Sequence, residues 1–132
     1  MTRRRAIAGL LFLAALGLGD AAPSGAVTGE EFRLRSGADV VALCSAPASD
    51  PLYTAAIHMC HGFGAGIYQT ITVLTRHEKV PPVICPPEPA PSRNETVGRF
   101  LEWARRNPQQ LREAAAETMG RFFLAEFPCR RP

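Results

Sequence analysis

The residues best suited to chemistry lie together in the segment His58-Met59-Cys60-His61. Two histidines three residues apart on a helix could bind a metal ion, and a cysteine beside a histidine could act as a nucleophile. A metal site needs a third ligand, however, and His77 is a poor candidate at the far end of the same predicted helix. We therefore expect no catalytic residue, no metal and no cofactor here, and interpret the histidines as packed or solvated beside a disulfide-bonded Cys60.

Other catalytic patterns find no match in the sequence. Glycines 62, 64 and 66 do not fit G-x-G-x-x-G, and the single lysine, Lys79, does not follow a phosphate-binding loop. Glu113 and Glu117 are four residues apart and lie among arginines, which is typical of a salt-bridged solvent face rather than an acid–base pair. These residues predict a protein that is not an enzyme.

The first 26 residues have the pattern of a signal peptide. Three arginines at positions 3–5 precede an apolar run over residues 6–19, which is too short to span a membrane. Small residues follow, so cleavage after Ala21 or after Ala26 is expected. The remaining chain, 27–132, is predicted to be one exported domain with no membrane contact after cleavage. From position 22 onward it holds twelve basic and eleven acidic residues, a balance that does not favour nucleic acid as a partner.

Four cysteines remain after cleavage: Cys44, Cys60, Cys85 and Cys129. An even number in a small exported domain predicts two disulfides, for which three pairings are possible. No C-x-x-C pair is present, so a zinc site is not expected.

The spacing of apolar residues predicts an all-α fold, a small bundle of four or so helices. A short helix over about 37–45 follows Ser36 as N-cap, and a long helix begins at Asp50-Pro51 and closes within 76–80. A β-segment over 67–75 is the alternative, because β-branched residues are frequent there. Prolines make 81–91 a stiff connector between two helical halves.

The second half is predicted to be a helical hairpin. The sequence S-x-x-E at Ser92–Glu95 is a capping box that begins one helix, and Pro108 begins the next after a hinge of one or two residues. An antiparallel hairpin would bring its open end, with Cys129, near Cys85. We therefore predict the disulfides Cys85–Cys129 and Cys44–Cys60.

Three glycines interrupt the predicted long helix, and each costs about 1 kcal/mol relative to alanine. Gly62 and Gly66 are four apart and share a face. We interpret them as positions of close helix packing, where another backbone approaches.

Several of these features together resemble a known family. They are a leader, Gly37 to Cys44, the pattern Cys60-x-Gly62-Phe63-x-x-Gly66, Cys85-Pro86-Pro87, and the closing Phe127-Pro128-Cys129. In this order they resemble the Rap/Tai family of periplasmic immunity proteins, which neutralise peptidoglycan amidase effectors of type VI secretion. The resemblance covers about the last hundred residues.

That resemblance implies an all-α fold with two disulfides, a periplasmic location and often a homodimer. It implies binding rather than catalysis, with a loop or helix end plugging the amidase cleft, and it carries no catalytic residue over to this chain. A periplasmic housekeeping or stress protein, chaperone-like and without an amidase partner, is the alternative function, and a small enzyme using His58 or His61 is a third. Whether the proline connector or the 45–50 loop would bind stays open.

Overall fold

The computed structural model describes residues 25–129. In this range the chain forms four α-helices: α1 (Gly37–Cys44), α2 (Tyr53–His77), α3 (Arg93–Arg106) and α4 (Ala115–Glu126). Two short 3-10 helices, Glu31–Arg33 and Pro108–Arg112, precede α1 and α4. The β-type contacts found between these residues are two isolated bridges, Ser36 with Ala114 and Ile84 with Pro128. The predicted four-helix, all-α fold is confirmed, whereas the predicted signal peptide, 1–26, lies outside the described residues except for its last two.

Helices α1 and α3 begin as their sequences predict. At α1 the Ser36 hydroxyl accepts a hydrogen bond from the Asp39 amide, and the Asp39 carboxylate accepts one from the Ser36 amide, both at 3.3 Å. At α3 the same reciprocal pair joins Ser92 and Glu95, at 3.2 and 2.7 Å. Each capping box satisfies amides that have no partner inside the helix.

The start of α2 differs from the prediction. The helix begins at Tyr53 after Leu52, not at Asp50-Pro51, and Asp50 does not cap it. The buried Asp50 carboxylate instead accepts hydrogen bonds from the amides of Val27 and Leu52, each at 2.7 Å. Because Val27 is 23 residues away, this long-range contact outweighs the local capping preference. Asp50 therefore ties the N-terminal arm to the first turn before α2.

From Tyr53 to His77, α2 is one continuous helix of 25 residues. It runs through 67–75, so the β alternative for this segment is not realised. Ile67 and Ile71 pack against the buried core, and the helical spacing of such residues outweighs their individual β preference.

The link between α3 and α4 is longer than the predicted hinge. Pro108 begins a 3-10 helix rather than α4, and α4 itself starts only at Ala115. Tertiary hydrogen bonds hold this link: Thr118 donates from its hydroxyl to the Gln110 carbonyl at 2.7 Å, and the Gly37 amide donates to the Glu113 carbonyl at 2.9 Å. The link thus packs onto the start of α1 instead of forming a tight turn.

The core is centred on the shortest helix. Helix α1 contacts each of the other three helices, and its Val40 and Leu43 are fully buried. Aromatic rings of α3 and α4 complete the core, with Phe122 edge-on to Phe100 at a centroid distance of 5.4 Å. Such edge-to-face pairs add to the stabilisation that comes from buried area.

Both predicted disulfides are present. Cys44–Cys60 joins the end of α1 to the first half of α2, and both of its cysteines are buried. Cys85–Cys129 joins the proline-rich connector to the segment after α4. The cross-links therefore fasten the two helical halves separately.

Candidate binding surface

The residues that could have carried chemistry are not assembled into a reactive site. Cys60 is held in a disulfide, His58 is exposed and His61 is half-buried. Across residues 25–129, no group of three or more His, Cys, Asp or Glu side chains is placed to hold a metal ion. The features of this protein that are suited to a function lie on its exposed surface.

Gly62 and Gly66 lie on the exposed side of α2. A Cβ atom built on either glycine has no neighbouring atom within 4 Å. The expected close helix packing at these two positions is therefore not met within the described chain, because α2 packs through its opposite side, which carries Ala56 and Cys60. Of the three glycines in this helix, only Gly64 faces the core, 3.8 Å from Met119 Cε when a Cβ is built on it.

Helix α2 extends beyond the core at its C-terminal end. Its 25 residues correspond to about 37 Å at 1.5 Å per residue, against about 21 Å for the 14 residues of α3. Ile71 is the last apolar residue of α2 that packs against the core. We call residues 73–83, the end of α2 and the turn that follows, the helix tip.

The tip exposes apolar side chains. The exposed fractions are 58% for Val73, 55% for Leu74, 49% for Val80 and 42% for Val83. Single apolar residues scattered over a surface are normal, but here four exposed ones lie within eleven consecutive residues, and a concentration of exposed apolar side chains is a feature of interaction sites. The tip is therefore the strongest candidate for a protein-binding surface.

Backbone hydrogen bonds hold the tip in one shape. The Val80 amide donates to the Thr75 carbonyl at 3.0 Å, and the Lys79 amide donates to the Arg76 carbonyl at 3.2 Å. This is the Schellman pattern of a helix end, in which the αL position is usually glycine. Here Lys79 occupies it with φ of 54°, a conformation that is unfavourable for a lysine.

The other side of the tip is anchored to the core. Ile84 is buried and forms a bridge with Pro128, and the Cys85 amide donates to the Phe127 carbonyl at 2.8 Å. Pro81 and Pro82 stiffen the short span between these anchors and the helix end. An apolar patch fixed at both ends loses little conformational entropy when it binds.

The tip also carries the charged side chains that the preceding part of α2 lacks. Arg76 and Lys79 are basic, Glu78 is acidic, and all three are exposed. The preceding residues from Pro51 to Thr75 include no Asp, Glu, Lys or Arg. The tip thus combines apolar contact area with a small excess of positive charge.

The 45–50 loop offers much less to a partner. Ala46 and Asp50 are buried, and the exposed residues between them are Pro47, Ala48 and Ser49. These side chains are small, so they supply little of the contact area that anchors an interface. Of the two segments that the sequence left open, the beginning of the proline connector belongs to the tip and the loop does not.

A second exposed surface follows the length of α2. At steps of three and four residues this helix and its N-cap expose a stripe of uncharged side chains, which we call the glycine face: Leu52, Ala55, Met59, Gly62, Gly66, Gln69 and Val73. Steps of this kind place residues on one side of a helix. The glycine face is long enough to pack along another helix.

Two carboxyl groups near the helix starts have shifted pKa values. The hydrogen bond from the Thr28 hydroxyl lowers the pKa of Glu31, and that from the Ser92 hydroxyl lowers the pKa of Glu95. Backbone amides of the same regions act in the same direction. Neither group lies on the tip, so these shifts concern helix stability rather than binding.

The sequence carries a signal for the tip, but the signal does not distinguish it from core. Val73 and Leu74 continue an apolar helix after its last core contact, and Val80 and Val83 flank a proline pair. Those residues read equally well as core, because only the packing reveals that the bundle ends at Ile71.

The fold and the exposed surfaces define a class: a small helical domain, cross-linked by two disulfides, whose longest helix ends in exposed apolar side chains. No helix in the described range combines the length and hydrophobicity needed to cross a membrane. A family model for Rap1a immunity proteins matches residues 36–129, and the chain belongs to this family. The match covers all four helices and all four cysteines. No curated protein and no solved structure matched the chain in the corresponding comparisons.

Proposed function

We propose that this protein is a periplasmic immunity protein that binds a peptidoglycan amidase effector of type VI secretion and occludes its catalytic cleft. Membership of the Rap1a immunity family supports a role in binding an effector. The signal-peptide pattern over 1–26 supports export to the compartment in which a peptidoglycan amidase acts.

The helix tip is the part that we propose enters the cleft, and its exposed apolar side chains are the observation that carries this proposal. A cleft can be filled by a projection, and the end of α2 extends about 9 Å, or six residues, beyond Ile71. Leu74 and Val80 are suited to supply contact area, because burial of apolar surface is the main favourable term in most protein–protein association. Arg76 and Lys79 would steer the tip towards an acidic rim.

The test uses the amidase encoded beside this gene, or each amidase effector of the source organism in turn. We expect the oxidised protein to inhibit peptidoglycan hydrolysis stoichiometrically. Replacing both Leu74 and Val80 by glutamate should weaken binding at least about 10-fold, because two charges would have to be buried without partners. Isothermal titration calorimetry and a turbidity assay on purified peptidoglycan measure the two effects.

Leu124→Glu is the matched control. Leu124 is 44% exposed on α4, close to the exposure of Val80, but lies outside the tip. The Leu124→Glu variant should bind and inhibit the amidase as the wild type does. Equal loss in both variants would contradict the tip assignment, and failure to bind any amidase would contradict the amidase role and favour the housekeeping alternative.

We also propose a homodimer formed through the glycine face. Because no charged side chain occurs from Pro51 to Thr75, two copies of this face can meet without repulsion between like charges. The absence of side chains at Gly62 and Gly66 would let the two helices approach closely. Analytical ultracentrifugation should detect a dimer that Gly66→Glu dissociates and Gly98→Glu, on exposed α3 surface, does not. A wild type that is monomeric at all accessible concentrations would contradict this interface.

A further inference from the structure

A cavity of about 310 Å³ lies beside the core, between the middle of α2, the proline connector, the first turns of α3 and the inner side of α4. Four phenylalanine rings line it, together with the Cys44–Cys60 disulfide: Phe100, Phe122, Phe123 and Phe127. The volume falls at the lower end of the range for small-molecule pockets. A cavity of this volume has room for a small molecule.

The cavity lining carries positive charge but no negative charge. Arg93 is the only fully charged residue among them, and the lining includes no Asp or Glu. Arg93 is exposed and forms no ion pair with another residue of the described range, whereas Arg99, one turn and a half further along α3, pairs with Glu126 at 3.0 Å. The entrance to the cavity thus has an unpaired positive charge.

Three more hydrogen-bonding side chains, those of His61, Tyr68 and Gln69, line the same cavity as Arg93. None of these side chains makes a hydrogen bond to another residue in 25–129, and Tyr68 takes part only through its backbone carbonyl. Polar groups that converge on an otherwise apolar pocket fix the orientation of a ligand. An apolar interior with a cationic entrance selects a molecule with an apolar body and an anionic end.

We propose that this cavity binds a small amphipathic anion, a carboxylate carried on an aromatic ring or a short alkyl chain. The apolar part would lie against the phenylalanine rings, and the carboxylate would accept hydrogen bonds from the Arg93 guanidinium. The C-terminal residues of this chain are unsuitable occupants, because Arg130 and Arg131 carry the same charge as Arg93. The inference does not depend on the effector, since the cavity and the tip share no residue.

The probe is 2-naphthoate, and its neutral analogue 2-naphthamide is the comparison. We expect naphthoate to bind the oxidised protein about 5- to 10-fold more tightly, as measured by calorimetry and by NMR shifts of cavity residues. Arg93→Gln should remove this preference and leave naphthamide binding unchanged. Equal affinities of the wild type for the two probes would overturn the assignment of an anion.

Blocking the cavity separates specific binding from adhesion to the surface. Gly64 lines the cavity, and a Cβ there would be in ordinary van der Waals contact with Met119, so Gly64→Leu should fold and fill the space. Gly98→Leu is the control, because Gly98 is an exposed glycine of α3 with open space around it. The proposal is supported if Gly64→Leu loses the binding of both probes while Gly98→Leu keeps it. Retained probe binding in Gly64→Leu, or no saturable binding in the wild type, would refute the proposal. If Gly64→Leu does not melt cooperatively, Ala65→Leu is used in its place.

Discussion

Gly37 is the glycine that the packing of this protein requires. A Cβ atom at this position would lie 2.5 Å from the Thr118 hydroxyl and 2.7 Å from the Gln110 carbonyl oxygen. These two atoms are hydrogen-bonded to each other, so neither can move without breaking that bond. The close approach of α1 to α4 therefore depends on the missing side chain.

Gly37→Ala should lower the free energy of unfolding by about 1–3 kcal/mol, because it overpacks the contact between α1 and α4. Gly98→Ala, on an exposed turn of α3 with no atom near its Cβ, should raise that free energy by about 1 kcal/mol. Urea denaturation followed by circular dichroism measures both. A tolerated Gly37→Ala would show that Thr118 and the link before α4 can shift.

At the scale of the helix, the capping box of α3 makes stability depend on pH. The hydrogen bonds from Ser92 lower the pKa of Glu95 below its ordinary value of 4.5. A carboxyl group with a lowered folded-state pKa stabilises the fold when it is ionised. Its contribution is complete above the unfolded pKa and is lost as the pH falls through the lower, folded value.

Glu95→Gln tests this linkage, because glutamine keeps the acceptor of the capping box without the charge. We expect the variant to be less stable than the wild type at neutral pH, and the difference to shrink as the pH falls below 4.5. Denaturation midpoints at a series of pH values are the measurement. A stability difference that stays constant over that pH series would contradict the linkage. The pKa of Glu31 is also lowered, but Glu31 is present in both proteins and so does not contribute to their difference.

For the whole molecule, the two disulfides differ in how a reductant can reach them. Cys44 and Cys60 are 4% and 2% exposed, whereas Cys85 is exposed and Cys129 half-buried. The sequence separations of 16 and 44 residues correspond to about 3 and 4 kcal/mol of loop-closure entropy. The accessible bond therefore closes the larger loop and holds the connector that anchors the tip.

Graded reduction should open Cys85–Cys129 before Cys44–Cys60, because thiol–disulfide exchange requires access to a sulfur atom. Alkylation of the exposed thiols and peptide mass spectrometry at each reductant concentration identify the order. The partly reduced protein should keep its helical content but lose affinity for the effector, since the tip has lost one anchor. Simultaneous opening of both bonds would show that the fold unfolds as one unit instead.

Local sequence signals were sufficient for the number of helices and for the starts of α1 and α3, but not for the starts of α2 and α4. The Ser36 and Ser92 caps act over three residues, and prolines exclude helix over 81–91, so both effects can be read from neighbouring residues. Cys85 lies near Cys129, as the hairpin predicts, because a connector followed by two antiparallel helices returns to its start. The family resemblance was likewise carried by short motifs, and the family match confirms it.

Tertiary structure alone decided which surfaces of these helices are free. Gly62 and Gly66 read as buried packing positions but are exposed, while Gly37 is the glycine in close contact. Asp50 reads as a helix cap but binds an amide 23 residues earlier. Helical periodicity identifies an apolar side of a helix, but the point at which the core ends depends on neighbours distant in the chain. The tip lies where the core ends and the cavity lies where four segments meet beside it, so both follow from the packing and not from a local pattern.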